Sequence, residues 1–213
     1  FIWDWVDQTV LTTAQTEVET HIIDAKNQIE VTANGTFEEG RNGSKALKGN
    51  LEVPANSALN ANAQGLTLDA YVKVDAGTSV SKDAAILSKG ENGFNLKFDR
   101  NGDIEVFVNG WAGGTLVYDI NASAYNDGNY HRFTATAEPS GSATLLKLYI
   151  DGTMVKSATI SVSAPYDTNN YKLGVGTDPE ISGRSFPGTI DSVRVVKRTW
   201  APPGTAPVKS TRL

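Results

Sequence analysis

The stretch GFNLKFDRNGDIEVFVN, residues 93–109, decides the fold. Phe94, Leu96 and Phe98 alternate with polar residues, Arg100-Asn101-Gly102 interrupts them, and Ile104, Val106 and Val108 resume the alternation. A period of two puts each apolar triplet on one face of an extended strand, and Asn-Gly tolerates the positive φ that a tight reversal needs. The stretch therefore reads as a β-hairpin with one face in a core. Further along, Leu146, Leu148 and Ile150 alternate up to Asp151-Gly152, and Met154 to Val162 returns, which is a second hairpin by the same reasoning.

Working outward, short runs of the same kind read as strands at 28–33, 45–53, 66–74, 85–89, 130–138, 171–175 and 188–196. They are punctuated by Gly, Asn and Asp, and helical period is almost absent. The expected fold is all-β, an antiparallel two-sheet jelly-roll sandwich over residues 27–200, with under about a tenth of the chain in helix. Residues 12–26, with Val18, Ile22 and Ile23 as apolar positions, read either as a helical turn or as an edge strand. Pro202, Pro203, Gly204 and Pro207 mark 201–213 as an exit linker, because proline cannot donate to a ladder.

At 213 residues the chain can bury a core large enough to need no staples, and it has no cysteine. That removes disulfides, thiolate nucleophiles and sulfur-held metals without fixing the compartment. The two histidines, His21 and His131, are too far apart in sequence to form a helical metal pair, and His131 lies in a run of strand period, where a structural role is expected. Hydrophobic residues at 39% and charged residues at 20% exclude disorder, and no apolar run reaches the length of a membrane span, so no membrane insertion is expected. A net charge of −5 disfavours a phosphate backbone, so nucleic acid is not an expected partner. The start at Phe1-Ile2-Trp3-Asp4-Trp5 lacks a basic leader and reads as cut from a longer chain.

Five short motifs occur in one order: Gly-Thr-Phe-Glu-Glu-Gly at 35–40, Ala-Ile-Leu-Ser-Lys-Gly at 85–90, Tyr-His-Arg-Phe at 130–133, Leu-Tyr-Ile-Asp-Gly at 148–152 and Gly-Thr-Ile-Asp-Ser-Val-Arg-Val at 188–195. Together they resemble a laminin-G-like domain of the concanavalin A type. Where that family usually has tryptophan before the histidine, this chain has Tyr130, which keeps an aromatic anchor. The string Phe1-Ile2-Trp3-Asp4-Trp5-Val6-Asp7-Gln8 resembles a late barrel strand of family 2 glycoside hydrolases of the β-galactosidase type. By that resemblance Trp3 would wall a sugar subsite in a parent enzyme, and residues 1–26 would end its barrel. The alternative is a plain N-terminal strand or tail.

The resemblance to laminin-G-like domains also implies a structural calcium site, with Asp191 facing Asn34, Gly35 and Thr36. Alternatively, Asp191 caps a turn or pairs with Arg194.

Catalysis is not expected of this chain alone. A retaining glycosidase needs two facing carboxyl groups about 5–5.5 Å apart, and no Glu-x-Asp-x-x-Glu string is present to supply them from one strand. Glu38-Glu39 and the Glu17/Glu19 pair read as solvated surface. Sugar binding instead calls for exposed aromatics beside polar groups, because sugar C–H faces stack on aromatic rings. Trp111, between Asn109-Gly110 and Ala112-Gly113-Gly114, is the leading candidate, since glycine-rich neighbours place it in a turn outside the core. Tyr118, Tyr125 and Tyr166 are secondary candidates, with Asn109, Asp119 and Asn126 as polar neighbours.

The expected function is a non-catalytic carbohydrate-binding module of an extracellular or cell-surface β-galactosidase-like enzyme. Its partners would be galactose-terminated glycans and the catalytic domain of the same parent chain. The competing expectation is a spacer that packs on the catalytic barrel and binds no sugar.

Overall fold

The computed structural model describes residues 2–4, 21–24, 29–61, 64–80, 83–120, 125–166 and 169–200. Among them lie fourteen strands: β1 (Ile2–Asp4), β2 (His21–Asp24), β3 (Ile29–Glu39), β4 (Lys45–Val53), β5 (Leu66–Lys73), β6 (Ala85–Ser88), β7 (Asn95–Phe98), β8 (Ile104–Phe107), β9 (Thr115–Tyr118), β10 (Tyr130–Ser140), β11 (Ala143–Ile150), β12 (Thr153–Ile160), β13 (Leu173–Val175) and β14 (Thr189–Val196). Helix among the described residues is confined to three short 3-10 turns, Arg41–Gly43, Ser57–Leu59 and Trp111–Gly113. The fold is the expected antiparallel all-β sandwich.

Both hairpins form as the alternation requires. In the first, Phe98 pairs Ile104, and the Asp99 carboxylate accepts the backbone N–H groups of Asn101 and Asp103. In the second, Asp151 and Gly152 both take positive φ, at 49° and 82°, the geometry whose twist matches the flanking strands.

Neighbouring strands run in the order β12-β11-β10-β5-β14-β4-β13-β6-β7-β8-β9. The two ends of this path meet, because Gly114, leading into β9, leaves room for Ile160 of β12, and Gly113 leaves room for Val162. Between the layers Phe98 of β7 packs edge-on to Phe133 of β10, with ring centres 5.8 Å apart, and also meets Phe186 and Tyr125. Leu47, Leu66, Leu68, Ile86, Leu96, Phe133 and Ile190 fill the rest of a single core.

Several details depart from the expectations. β3 runs on to Glu39, past the expected end at Ala33. The continuation passes through Gly35, which stands opposite Gly49; a Cβ on Gly35 would come within 2.3 Å of the Lys48 carbonyl oxygen, so only glycine lets the two backbones approach. Alternation does not predict β9, because Thr115-Leu116-Val117-Tyr118 has no clean period of two. Ile2–Asp4 pairs antiparallel with Ser192–Arg194, continuing the edge of β14 beyond its two register pairs with β4. His21–Asp24 forms an edge strand on β3, which settles that reading for those four residues. The remainder of 12–26, the glutamates at 17 and 19, and the linker 201–213 lie outside the described residues.

Candidate functional site

Strands β7 and β8 turn Leu96, Phe98, Ile104 and Val106 inward, so Asn95, Lys97, Glu105 and Phe107 share the opposite face. Alternation predicts that face to be wet. It is buried instead: Asn95 and Phe107 are sealed, and the side chains of Lys97 and Glu105 are 4% and 7% exposed. The cover is the loop from Gly176 to Phe186, closed by a hydrogen bond from the Phe186 N–H to the Gly176 carbonyl. Gly174 of β13 lies directly beneath it, since a Cβ there would be 2.2 Å from the Thr177 oxygen.

Lys97 is the centre of the buried face. Its ammonium lies 3.0 Å from Glu105 Oε2, 3.1 Å from Asp83 Oδ1 and 3.9 Å from Glu91 Oε1. Asp83 also receives Arg100 at 3.2 Å and Arg184 at 3.7 Å, and Arg184 pairs with Glu91 and, at 3.2 Å, with Asp178. Burial pushes the Asp83 carboxyl up, but the hydrogen bonds from Lys97 and Arg100 outweigh it and hold the group below the usual range.

At the rim of this network stands Trp111, 59% exposed. Its indole N–H donates to Glu105 Oε1 at 2.9 Å. Its backbone is fixed as well, because Gly110 N–H donates to the Gly93 carbonyl and Trp111 N–H to the Glu91 carbonyl. Gly110 and Gly114 on either side take φ of 87° and 112°, so the glycines that frame Trp111 in the sequence are the ones that turn it outward. The result is an indole held at its edge by a carboxylate with its ring left in solvent.

The secondary candidates do not gather around it. Asn109 is exposed, at φ 53°, but its amide donates to the carbonyls of Ser163 and Pro165 and so ties down the loop before Tyr166. Tyr118 is half-buried and packs against the core. Tyr125 is 2% exposed and packs at a tilt against Phe98, so its ring offers no face to a sugar. Tyr166 is sealed in the core with its hydroxyl on Thr144. Asn126 holds the Thr78 carbonyl, and Asp119 is exposed. Sequence reasoning missed Lys97, Glu105, Asp83 and Arg184. The one available signal was Phe107, an aromatic on the face that alternation reads as wet.

The grouping of Asp191 with Asn34, Gly35 and Thr36 is not what the fold assembles. Asp191 is the extra residue of a β-bulge between Ile190 and Ser192, which aims its carboxylate at the turn before β4. There it accepts the Arg41 N–H at 3.2 Å and the Ser44 hydroxyl, and it lies 3.5 Å from the Arg41 guanidinium. Gly40 leaves the space, since a Cβ would collide with both Asp191 and Ser44. Asn34, Gly35 and Thr36 lie in β3, away from that turn and opposite Asn50, Gly49 and Lys48 of β4. A carboxylate already engaged by a guanidinium and two further donors does not fit a calcium site, and the described residues hold no group of three or more His, Cys, Asp or Glu side chains suited to a metal. The turn-capping alternative is the one the fold realises, with Arg41 in the place expected for Arg194.

Other titratable groups serve the scaffold. Glu38 is half-buried rather than solvated, held low by Lys73 and Thr189. Asp69 binds Arg132 through both oxygens and also accepts from Thr134. Tyr130, near these groups, has its phenol pushed up to about 12 by burial and by the charges of Asp191 and Glu38. His131 bridges Asp151 at 2.8 Å and Asp127 at 3.2 Å, consistent with the structural role expected of it.

Comparison with solved structures gives the same sandwich. The binding domain of botulinum neurotoxin serotype D superposes with a TM-score of 0.58 at 16% identity, covering 82% of this chain and 45% of that chain. Domain 4 of AbnA, a GH43 extracellular arabinanase from Geobacillus stearothermophilus solved with arabinotriose, gives 0.53 at 15%, covering 80% of this chain and 84% of that one. Trypanosoma rangeli sialidase in complex with sialic acid gives 0.54 at 14%, with 82% and 28% covered. This chain therefore spans under half of the toxin chain and under a third of the sialidase chain, and at these identities the likeness is one of fold. No curated protein sequence matches the chain. Residues 46–203 match a laminin-G-type family described as the concanavalin A-like lectin/glucanases superfamily, and with most of the sandwich inside that match, the chain belongs to this superfamily.

Proposed function

We propose that this domain is a non-catalytic glycan-binding module whose contact residue is Trp111. The observation that carries the reading is an indole left 59% in solvent while its N–H is anchored 2.9 Å from a buried glutamate. A ring fixed before binding loses little freedom when a sugar stacks on it, so contact energy goes into affinity. The superfamily contains lectins and glucanases, and among proteins of similar fold are a neurotoxin binding domain and an arabinanase domain solved with arabinotriose.

Binding is favoured over hydrolysis because Glu105, which holds the indole, and Glu91, which carries its loop, are engaged by Lys97 and Arg184. A retaining glycosidase needs one carboxyl protonated, with both facing the scissile bond. The parent protein is read as a β-galactosidase-like enzyme acting outside the cell, and the glycan as galactose-terminated. That finer reading rests on the Phe1–Gln8 string and on the extracellular arabinanase neighbour. The module would raise local substrate concentration by tethering.

Calorimetric titration with lactose, galactobiose and arabinotriose tests the proposal, alongside Trp111→Ala. Saturable binding that the substitution abolishes supports it. Wild-type protein that binds none of these sugars leaves the domain as a spacer beside a catalytic domain.

A further inference from the structure

The turn that carries the Trp111 loop is itself braced. Lys89 is fully buried, its backbone N–H donates to the Phe94 carbonyl, and its ammonium donates to Asn60 Oδ1 at 2.6 Å and to the Asn169 carbonyl at 3.0 Å. Asn169 in turn donates its side-chain amide to the Asn92 carbonyl at 2.6 Å. Within the turn the Gly93 N–H reaches the Gly90 carbonyl, and Gly93 lies close on Lys89, where a Cβ would be 2.3 Å from the Lys89 carbonyl oxygen. The Gly110 and Trp111 N–H groups then take the carbonyls of Gly93 and Glu91, one on each side of Asn92. Asn92 therefore stands against the chain that presents the indole: a Cβ on Gly110 would lie 3.5 Å from its Cα and 3.8 Å from its Oδ1.

Its backbone is fixed, but its side chain is not spent. Asn60, Asn109 and Asn169 commit their side chains to protein partners, whereas the Asn92 amide makes no hydrogen bond among the described residues and Asn92 is exposed. An amide carries donors and an acceptor on one short arm. The hydroxyls of a sugar stacked through its C–H face project around the edge of the ring, where a group beside the platform meets them. Resting on the glycan-binding reading, we infer that Asn92 is the second contact of that site, donating to and accepting from hydroxyls at the rim of a sugar stacked on Trp111. The indole accepts an apolar sugar face, and Asn92 decides which sugar is kept there. A ligand with the matching hydroxyls forms the bonds, and one lacking them strips water from the amide with no return.

The test is calorimetry on the whole chain and on Asn92→Ala with lactose, galactobiose and arabinotriose, followed by monodeoxy analogues of whichever of the three binds. Asn92 is not among the residues at positive φ, so alanine fits the turn, and thermal melting checks that the variant is folded. The expected result is about five- to tenfold weaker binding by Asn92→Ala. At least one deoxy analogue should bind the wild type correspondingly weakly and lose nothing further on Asn92→Ala, since the missing hydroxyl and the missing amide are two ends of one bond. Affinity unchanged by Asn92→Ala overturns the inference while leaving glycan binding intact. A loss that adds in full to that of every deoxy analogue also overturns it, since the substitution would then act through the turn rather than on the sugar. Wild-type protein that binds none of the three sugars removes the binding reading and the role of Asn92 with it.

Discussion

The indole N–H of Trp111 and Oε1 of Glu105 are 2.9 Å apart, and through that bond the most exposed aromatic among the described residues is joined to a buried ionic network. Glu105 continues to Lys97 at 3.0 Å and Lys97 to Asp83 at 3.1 Å, so the ring's edge is set by residues a solvent molecule barely reaches. Trp111→Phe keeps an aromatic face but loses the N–H. Its expected outcome is intermediate: sugar affinity reduced by about 1 kcal/mol, and a melting temperature near that of the wild type, because an exposed loop residue adds little to the core. Calorimetry and thermal melting on the same variant check both halves.

Lys97→Met should be severe. The substitution keeps the length of the stem but leaves Asp83 and Glu105 facing each other without their shared cation, in a place where water cannot replace it. A loss of about 3–5 kcal/mol is expected, read as a lower midpoint in urea denaturation at unchanged slope. A midpoint within error of the wild type would mean that the network contributes nothing to folding.

The pH dependence near neutrality should come from His131. Burial opposes its charged form, but the hydrogen bonds to Asp151 and Asp127 outweigh that and raise its pKa above the ordinary value. A raised pKa contributes stability that is complete below the unfolded value of about 6.5 and is lost as pH rises through the folded value. Melting temperature should therefore fall as pH climbs above the unfolded value and through the raised folded one. His131→Gln should flatten that slope and leave the acid arm, where Asp127 titrates at about 2, in place.

Asp191 should behave as a scaffold residue that needs no metal. Asp191→Ala strands the Arg41 guanidinium, which otherwise lies between this carboxylate and the Tyr71 ring, and is expected to cost about 2–4 kcal/mol. Calcium or a chelator should act equally on the melting temperatures of the wild type and Asp191→Ala, because an ion can shift the folding equilibrium through Asp191 only by binding it in the folded state. A calcium-dependent rise that Asp191→Ala abolishes would reverse this reading.

The sequence by itself determined the two hairpins and their core faces. Alternation at 93–109 and 146–160 is a local property, and a period of two admits one assignment of apolar residues to the interior, with Asn101-Gly102 and Asp151-Gly152 fixing where the chain reverses. It also placed Trp111 outside, since the flanking glycines act within a few bonds of it. Only the tertiary structure decided what covers the second face of β7 and β8: Arg184 reaches Glu91 from 93 residues away, and nothing in either segment announces the meeting. The same holds for Asp191, whose partners Arg41 and Ser44 lie 150 and 147 residues earlier and become neighbours only when β14 docks beside β4. Periodicity records which way a side chain points from its own strand. Whether that direction ends in water or in another loop depends on contacts the chain makes only after the layers have closed.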